Sequence, residues 1–173
     1  ITLRAGYQPD LEVMLQKQEI DLAVTLIEKK STPGINSQAL LELPLILLVE
    51  KSGKLKNADE LWKRDKIEEP LICLPPAEAI CKHFQQGLGR LGIDWFPGVE
   101  ASSLELIETY VANGFGIGLS IAIPNGNLSP RVRALPLPGF TPVVIGALWR
   151  GKLSPVHQAF LEEAQGCARR LVS

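Results

Sequence analysis

Short apolar runs alternate with amphipathic stretches along this chain. Residues 1–5 read as a strand that Gly6 ends, and Leu11, Met14 and Leu15 then recur at helical spacing. The run Leu22-Ala23-Val24 follows, short and continuously apolar, as in a strand buried on both faces of a parallel sheet. Strand, helix and strand predict a βαβ unit with a right-handed crossover. Asp10, behind the turn-forming Tyr7-Gln8-Pro9, is expected to cap the helix. "STPGINSQ" reads as a loop, and "LLELPLILLVEK" as a strand bent or divided at Pro44.

In "NADELW", Asn57 and Glu60 fit a capping pattern for a short helix ending near Asp65. Residues 70–74 predict a strand, stopped by two prolines. Ile80, Phe84, Leu88 and Leu91 give residues 77–91 one apolar helical face. A short strand is expected near residues 98–101. Ser102 and Glu105 make a second capping pattern, and Leu104, Ile107 and Val111 form the stripe of the helix behind it. That helix should stop at Asn113-Gly114, since glycine takes the left-handed conformation at little cost. Ile117, Leu119 and Ile121 continue as strand. Helix, glycines, strand is the reverse of the order a dinucleotide fingerprint needs, and "NGFGIGL" spaces its glycines G-x-G-x-G rather than G-x-G-x-x-G. Gly116 and Gly118 are read instead as allowing close packing. "RVRALPLPG" and "TPVVIGALWRG" read as strands. Ser154-Pro155 starts a last helix, to about Leu171, with Val156, Phe160 and Ala164 on one face. The alternation predicts an α/β fold with mostly parallel sheets.

The 173 residues suffice for one ordinary domain or two small lobes. With 46% hydrophobic and 21% charged residues, the chain is globular rather than disordered. The net charge is −1 and the signs are mixed, so no basic stripe exists to grip nucleic acid. Cys73, Cys81 and Cys167 are odd in number and lack C-x-x-C spacing, which argues against a disulfide framework or a zinc site. They read as small hydrophobes in a reducing compartment. No apolar run reaches the ~18 residues that span a bilayer. No signal peptide is visible, and a chain opening without Met reads as a piece of a longer protein.

Enzyme constellations are thin. His83 and His157 lack metal-ligand spacing, and no G-x-S-x-G, H-E-x-x-H or P-loop appears. No catalytic residue, metal or cofactor is expected. Ligand binding is better supported, because loops at the carboxyl ends of strands lead into helix N-termini, whose free N–H groups suit anions. Tyr7 and Gln8, Pro76 and Ala77, and Ser102 and Ser103 hold such places. Ser102 reads as the N-cap, leaving the Ser103 hydroxyl available. Pro76 and Ala77 would offer backbone groups only.

The motifs, taken in order, resemble the effector-binding domain of LysR-type transcriptional regulators. "KQEIDLAVT" is similar to the family's strand entry, and "LELPLILLVEKSGKL" with "NADELW" to its next segment. "ETYVANGFGIGLSIAI" resembles its V-x-x-G-x-G-I run and the proline beyond, here Pro124. "VIGALWRG" with "LSPVHQAFLEEA" resembles its closing strand and helix. The likeness covers nearly the whole chain. Gln18 stands where the family usually has Gly. The family's first strand and helix, and its winged helix-turn-helix, would lie ahead of Ile1.

The resemblance implies two Rossmann-like lobes of the periplasmic-binding-protein type II kind, joined by two crossover strands that act as a hinge. Lobe one would be residues 1–69 with 140–173, and lobe two residues 70–139. The crossings would fall at residues 70–71 and 139–142. A small effector, an organic or inorganic anion, would lie between the lobes against Tyr7, Gln8, Thr25, Leu26, Pro76, Ala77, Ser102, Ser103, Ser120 and Ile121. The protein would be a cytoplasmic homodimer or tetramer, would touch DNA only through the missing domain, and would not enter a membrane. An exported periplasmic solute-binding protein is the alternative, and an enzyme on an α/β scaffold a third reading.

Overall fold

The computed structural model describes residues 6–27 and 32–172. The strand expected at residues 1–5, and with it the opening βαβ unit, lies outside the described residues. The chain divides into two compact units, Ile1–Glu42 with Val143–Ser173, and Leu43–Pro142.

The first unit carries a three-stranded sheet in the order β1 (Leu22–Ile27), β8 (Val143–Arg150), β2 (Ile35–Leu43). β1 and β8 run antiparallel, with Leu22 opposite Trp149 and Ile27 opposite Val144. Val24 is 45% exposed, so β1 is buried on one face and not on both. β2 begins inside the segment read as a loop, because "INSQ" alternates polar and apolar residues along a half-open strand. α1 (Gln8–Gln16) lays Leu11 and Leu15 on this sheet, in a cluster with Ala23, Ile27, Ile35 and Leu148. Its N-cap is Tyr7, not Asp10, since Pro9 fits the first turn and Asp10 becomes a first-turn acid. α5 (Pro155–Val172) buries Leu161 and Ala168, spaced at i, i+7. The face expected to be apolar is turned from that stripe: Val156 is 76% exposed and Phe160 55%.

The second unit holds a five-stranded sheet in the order β5 (Pro97–Glu100), β4 (Leu71–Cys73), β6 (Ile117–Ile121), β3 (Leu45–Glu50), β7 (Val132–Pro136). β4 pairs in parallel with β5 and β6, whereas β3 pairs antiparallel with β6 and β7. Mostly parallel sheets were expected, but both units mix in or consist of antiparallel pairings. The first crossing is likewise corrected. Pro44, without an N–H, divides β2 from β3, and β3 pairs with β6 and β7 of the second unit. Residues 43–69 therefore lie within the second unit, and β4 begins at Leu71.

Three helices build that unit: α2 (Asp59–Trp62), α3 (Ala79–Leu91) and α4 (Leu104–Ala112). The Asn57 side chain accepts from the Glu60 N–H at 3.1 Å, as the capping pattern predicts, although α2 stops at Trp62. Ile80, Phe84 and Leu88 on α3, and Ile107 and Val111 on α4, are fully buried, as are Leu47, Ile72 and Leu119 on the sheet. Phe84 also stacks on Phe140 at 5.4 Å and meets Trp95 edge-on at 6.0 Å. Gly114 ends α4 at φ 76°. A Cβ on Gly118 would stand 2.5 Å from Ile107 Cγ2, so this glycine lets α4 lie directly on β6, as the sequence suggested.

Candidate functional site

The parallel pairing of β4, β5 and β6 brings their carboxyl ends to one edge of the second sheet. The Ala101 N–H donates to the Cys73 carbonyl at 2.9 Å and ties two of those ends together. Six of the expected site residues sit along this edge. Pro76 and Ala77 are exposed in the turn from β4 to α3. Ser102 and Ser103 lie between β5 and α4, and Ser120 and Ile121 close β6.

The cap falls on Ser103 and not on Ser102. Ser103, in extended conformation, is the N-cap of α4, and its Oγ accepts from the Leu106 N–H at 3.2 Å. Ser102 is exposed beside it. The helix begins one residue later than expected, at Leu104, so the Ser103 hydroxyl is committed to the cap.

A cavity of about 380 Å³ opens at this edge, between the start of α4 and the ends of β6 and β3. Ile46, Leu104, Glu105, Glu108, Ser120 and Ile121 are among its walls. It unites Ser120 and Ile121 but not Pro76, Ala77, Ser102 or Ser103. Ser120 is 6% exposed, and its hydroxyl has no hydrogen-bond partner among the described residues. Glu108 Oε1 accepts from the Ser129 N–H at 2.6 Å. Hydrogen bonds from its own backbone N–H and from Ser103 hold the Glu105 carboxyl below the usual range. Sequence reasoning took Glu105 as a capping residue and did not single out Glu108. Their i, i+3 spacing beside Leu104 was the available signal.

Carboxylates also stand at the starts of α3 and α1. Glu78, 7% exposed, is the N-cap residue of α3, and Asp10 lies in the first turn of α1. The anion preference drawn from bare helix N-termini therefore meets negative charge already in place.

In the first unit, Tyr7 caps α1, and the Gln8 Nε2 donates to Glu12 Oε1 at 2.7 Å. Glu12, 7% exposed, in turn accepts from the Thr32 N–H and hydroxyl. Thr25 and Leu26 lie in β1 opposite Gly146 and Ile145. His157 Nδ1 meets Ser154 Oγ at 2.9 Å and its Nε2 lies 3.7 Å from Asp21. Ser154 also receives the His157 N–H at 3.4 Å, which marks it as the cap of α5 rather than an activated nucleophile. His83 meets the Pro142 carbonyl through Nδ1 at 2.9 Å, a structural contact. Among the described residues, no group of three His, Cys, Asp or Glu could hold a metal ion. No helix among them is long and apolar enough to cross a membrane.

Solved structures share this fold at low identity. HinK, a LysR family transcriptional regulator from Pseudomonas aeruginosa, superposes with a TM-score of 0.78 at 19% identity, over 95% of this chain and 58% of that one. The chain thus spans little more than half the length of that regulator. The Synechocystis CcmR regulatory domain, solved with 2-PG, gives 0.76 at 18% identity, over 96% and 82%. A sulfate-bound OxyR2 mutant regulatory domain from Vibrio vulnificus gives 0.73 at 21%, over 96% and 80%. No curated protein matches the sequence. Residues 1–168 match the LysR substrate binding domain, almost the full length of both units, and the chain belongs to that family.

Proposed function

We propose that this chain is the sensing part of a transcription regulator, in which a bound small molecule re-poses a DNA-binding domain. The membership of residues 1–168 in the LysR substrate binding domain family carries this reading. The carboxyl edge of the second sheet, with its cavity, supports it: loops at strand ends and helix starts are where α/β sheets bind ligands. The domain works by binding and not by turnover. Binding biases the regulator only if the ligand has unequal affinity for two arrangements. The reading includes a cytoplasmic homodimer assembled through this domain.

Two effector chemistries have support. The CcmR regulatory domain was solved with 2-PG and the OxyR2 mutant regulatory domain with sulfate, and helix N–H groups favour anions such as sulfate. Against this stand the chain's own acids at Asp10, Glu78 and Glu105. Thermal melting against a panel of carboxylates, oxyanions, amines and alcohols tests the sensing role. A ligand at ~100 times its Kd adds about 2.7 kcal/mol and raises the midpoint. No shift with any class in the panel would overturn the reading, as would turnover of a panel member by the purified domain.

A further inference from the structure

We propose that the cavity at the start of α4 binds a small primary amine with an apolar body. The proposal rests on the sensing role above and names the ligand chemistry of one site within the second unit.

Three features of the cavity carry it. Its volume of about 380 Å³ lies in the lower part of the usual ~300–1,000 Å³ range for small-molecule sites, so the occupant is small. Ile46, Leu104, Ile121, Ile123, Leu128 and Ala134 make most of the wall apolar, which matches a hydrocarbon body.

The polar groups then fix the head. Ser120 is the buried exception, 6% exposed on a strand whose five residues are all buried, and its hydroxyl is unpartnered among the described residues. A buried hydroxyl without a partner is costly, and a ligand donor placed against it recovers that loss. Glu105 and Glu108 add two carboxylates, and among the described lining residues there is no Lys, Arg or His. Neither acid is ion-paired within the unit: Glu108 takes a backbone N–H from Ser129, and Glu105 takes hydrogen bonds from the helix start. An entering carboxylate would face two like charges with no cation to offset them. An ammonium group has three donors, which the Ser120 hydroxyl and the two carboxylates can accept between them. An alcohol offers one donor and gains nothing from the charge.

Isobutylamine, isobutanol and isobutyrate share a body and differ in the head, so titrating each into the 173-residue chain by calorimetry separates the classes. The expected result is binding by the amine, weaker binding by the alcohol and none by the acid. Glu105→Gln, on the exposed helix start, and Ser120→Ala should each weaken the amine by about tenfold. Equal or tighter binding of isobutyrate would overturn the proposal. So would absence of amine binding, or amine binding unchanged in both variants. In any of these cases a shift from another compound in the melting panel would leave the sensing role standing.

Discussion

Gln18 and Gly92 close their helices in the same way, each in the left-handed region behind the last helical turn. Gln18 has φ 58° and Gly92 φ 68°. In both, the next N–H reaches back five residues: Glu19 to the Met14 carbonyl at 2.9 Å, and Ile93 to the Leu88 carbonyl at 3.0 Å. This is the Schellman closure, and glycine is its usual residue. The position where the family usually has Gly thus keeps its backbone and carries a side chain that the conformation disfavours.

Gln18→Gly should therefore stabilise the protein. Relief of the left-handed strain contributes about 1–2 kcal/mol, and the greater freedom of an unfolded glycine returns about 0.4–1 kcal/mol. A net gain of about 0.5–1 kcal/mol is expected, read as a higher denaturation midpoint at unchanged slope. A loss would contradict the strain.

Ser103→Ala should cost about 1 kcal/mol, because Ser103 and not Ser102 accepts from the third helical N–H of α4. Chemical denaturation is the measurement. A neutral Ser103→Ala would return the capping role to Ser102.

Gly118→Ala places a methyl 2.5 Å from Ile107 Cγ2 and 2.8 Å from Val111 Cγ2. Overpacking of this kind costs about 1–3 kcal/mol. Ile107→Ala, which removes that Cγ2 methyl, should cost less in the Gly118→Ala background than alone, a coupling that a double-mutant cycle detects.

Thiol labelling should distinguish the cysteines. Cys167 is exposed, whereas Cys73 and Cys81 are buried. The Cys81 thiol donates to the Leu74 carbonyl at 3.0 Å, and hydrogen bonding to Cys73 together with burial pushes its titration up. A thiol reagent at neutral pH should modify one cysteine in the folded chain and all three in denaturant. Rapid loss of a second thiol in the folded chain would contradict this packing.

Acid should weaken one surface pair. Burial pushes the Glu69 carboxyl up, but hydrogen bonds from Arg64 at 2.7 and 2.9 Å and from backbone N–H groups outweigh it, and the net shift is downward. A carboxyl lowered on folding adds stability above its unfolded value, lost as pH falls through the folded one. Both side chains are 39% exposed, so the contribution stays below about 1 kcal/mol. Arg64→Met should lower stability by that small amount at neutral pH and by nothing once Glu69 is protonated, which flattens the acid limb of a stability–pH curve.

Local chemistry made much of the fold legible. The stripe of Ile80, Phe84 and Leu88, the stop at Gly114 and the break at Pro44 each depend on residues within a turn or two. The partners of β3 do not: no local signal says that Leu47 pairs with Leu119 and Leu135 rather than with the first sheet. That non-local choice moved the crossing from residue 70 to residue 43. For α5 the period was legible and the buried side was not: a turn of about 100° about the helix axis exchanges Phe160 for Leu161. At the site, Ser102 and Ser103 fit a cap equally well on paper, and only the backbone at Ser103 decides. Ser120 and Ile121 were named by resemblance, whereas the acids beside them come from a helix that meets β6 only once folded.

The division of the chain also sets an order of assembly. The second unit is one continuous segment, complete once Pro142 has been made. The first sheet is not, because Leu22 pairs with Trp149 across the whole of that segment. On a ribosome, β1 waits while a hundred-residue neighbour is synthesised and folds. That folding shortens the effective loop β1 must close, and so lowers the entropic cost of meeting β8. The apolar face of α1, with Leu11 and Leu15, waits with it for Leu148, and this interval is when the nascent chain is most open to chaperones and to misassembly.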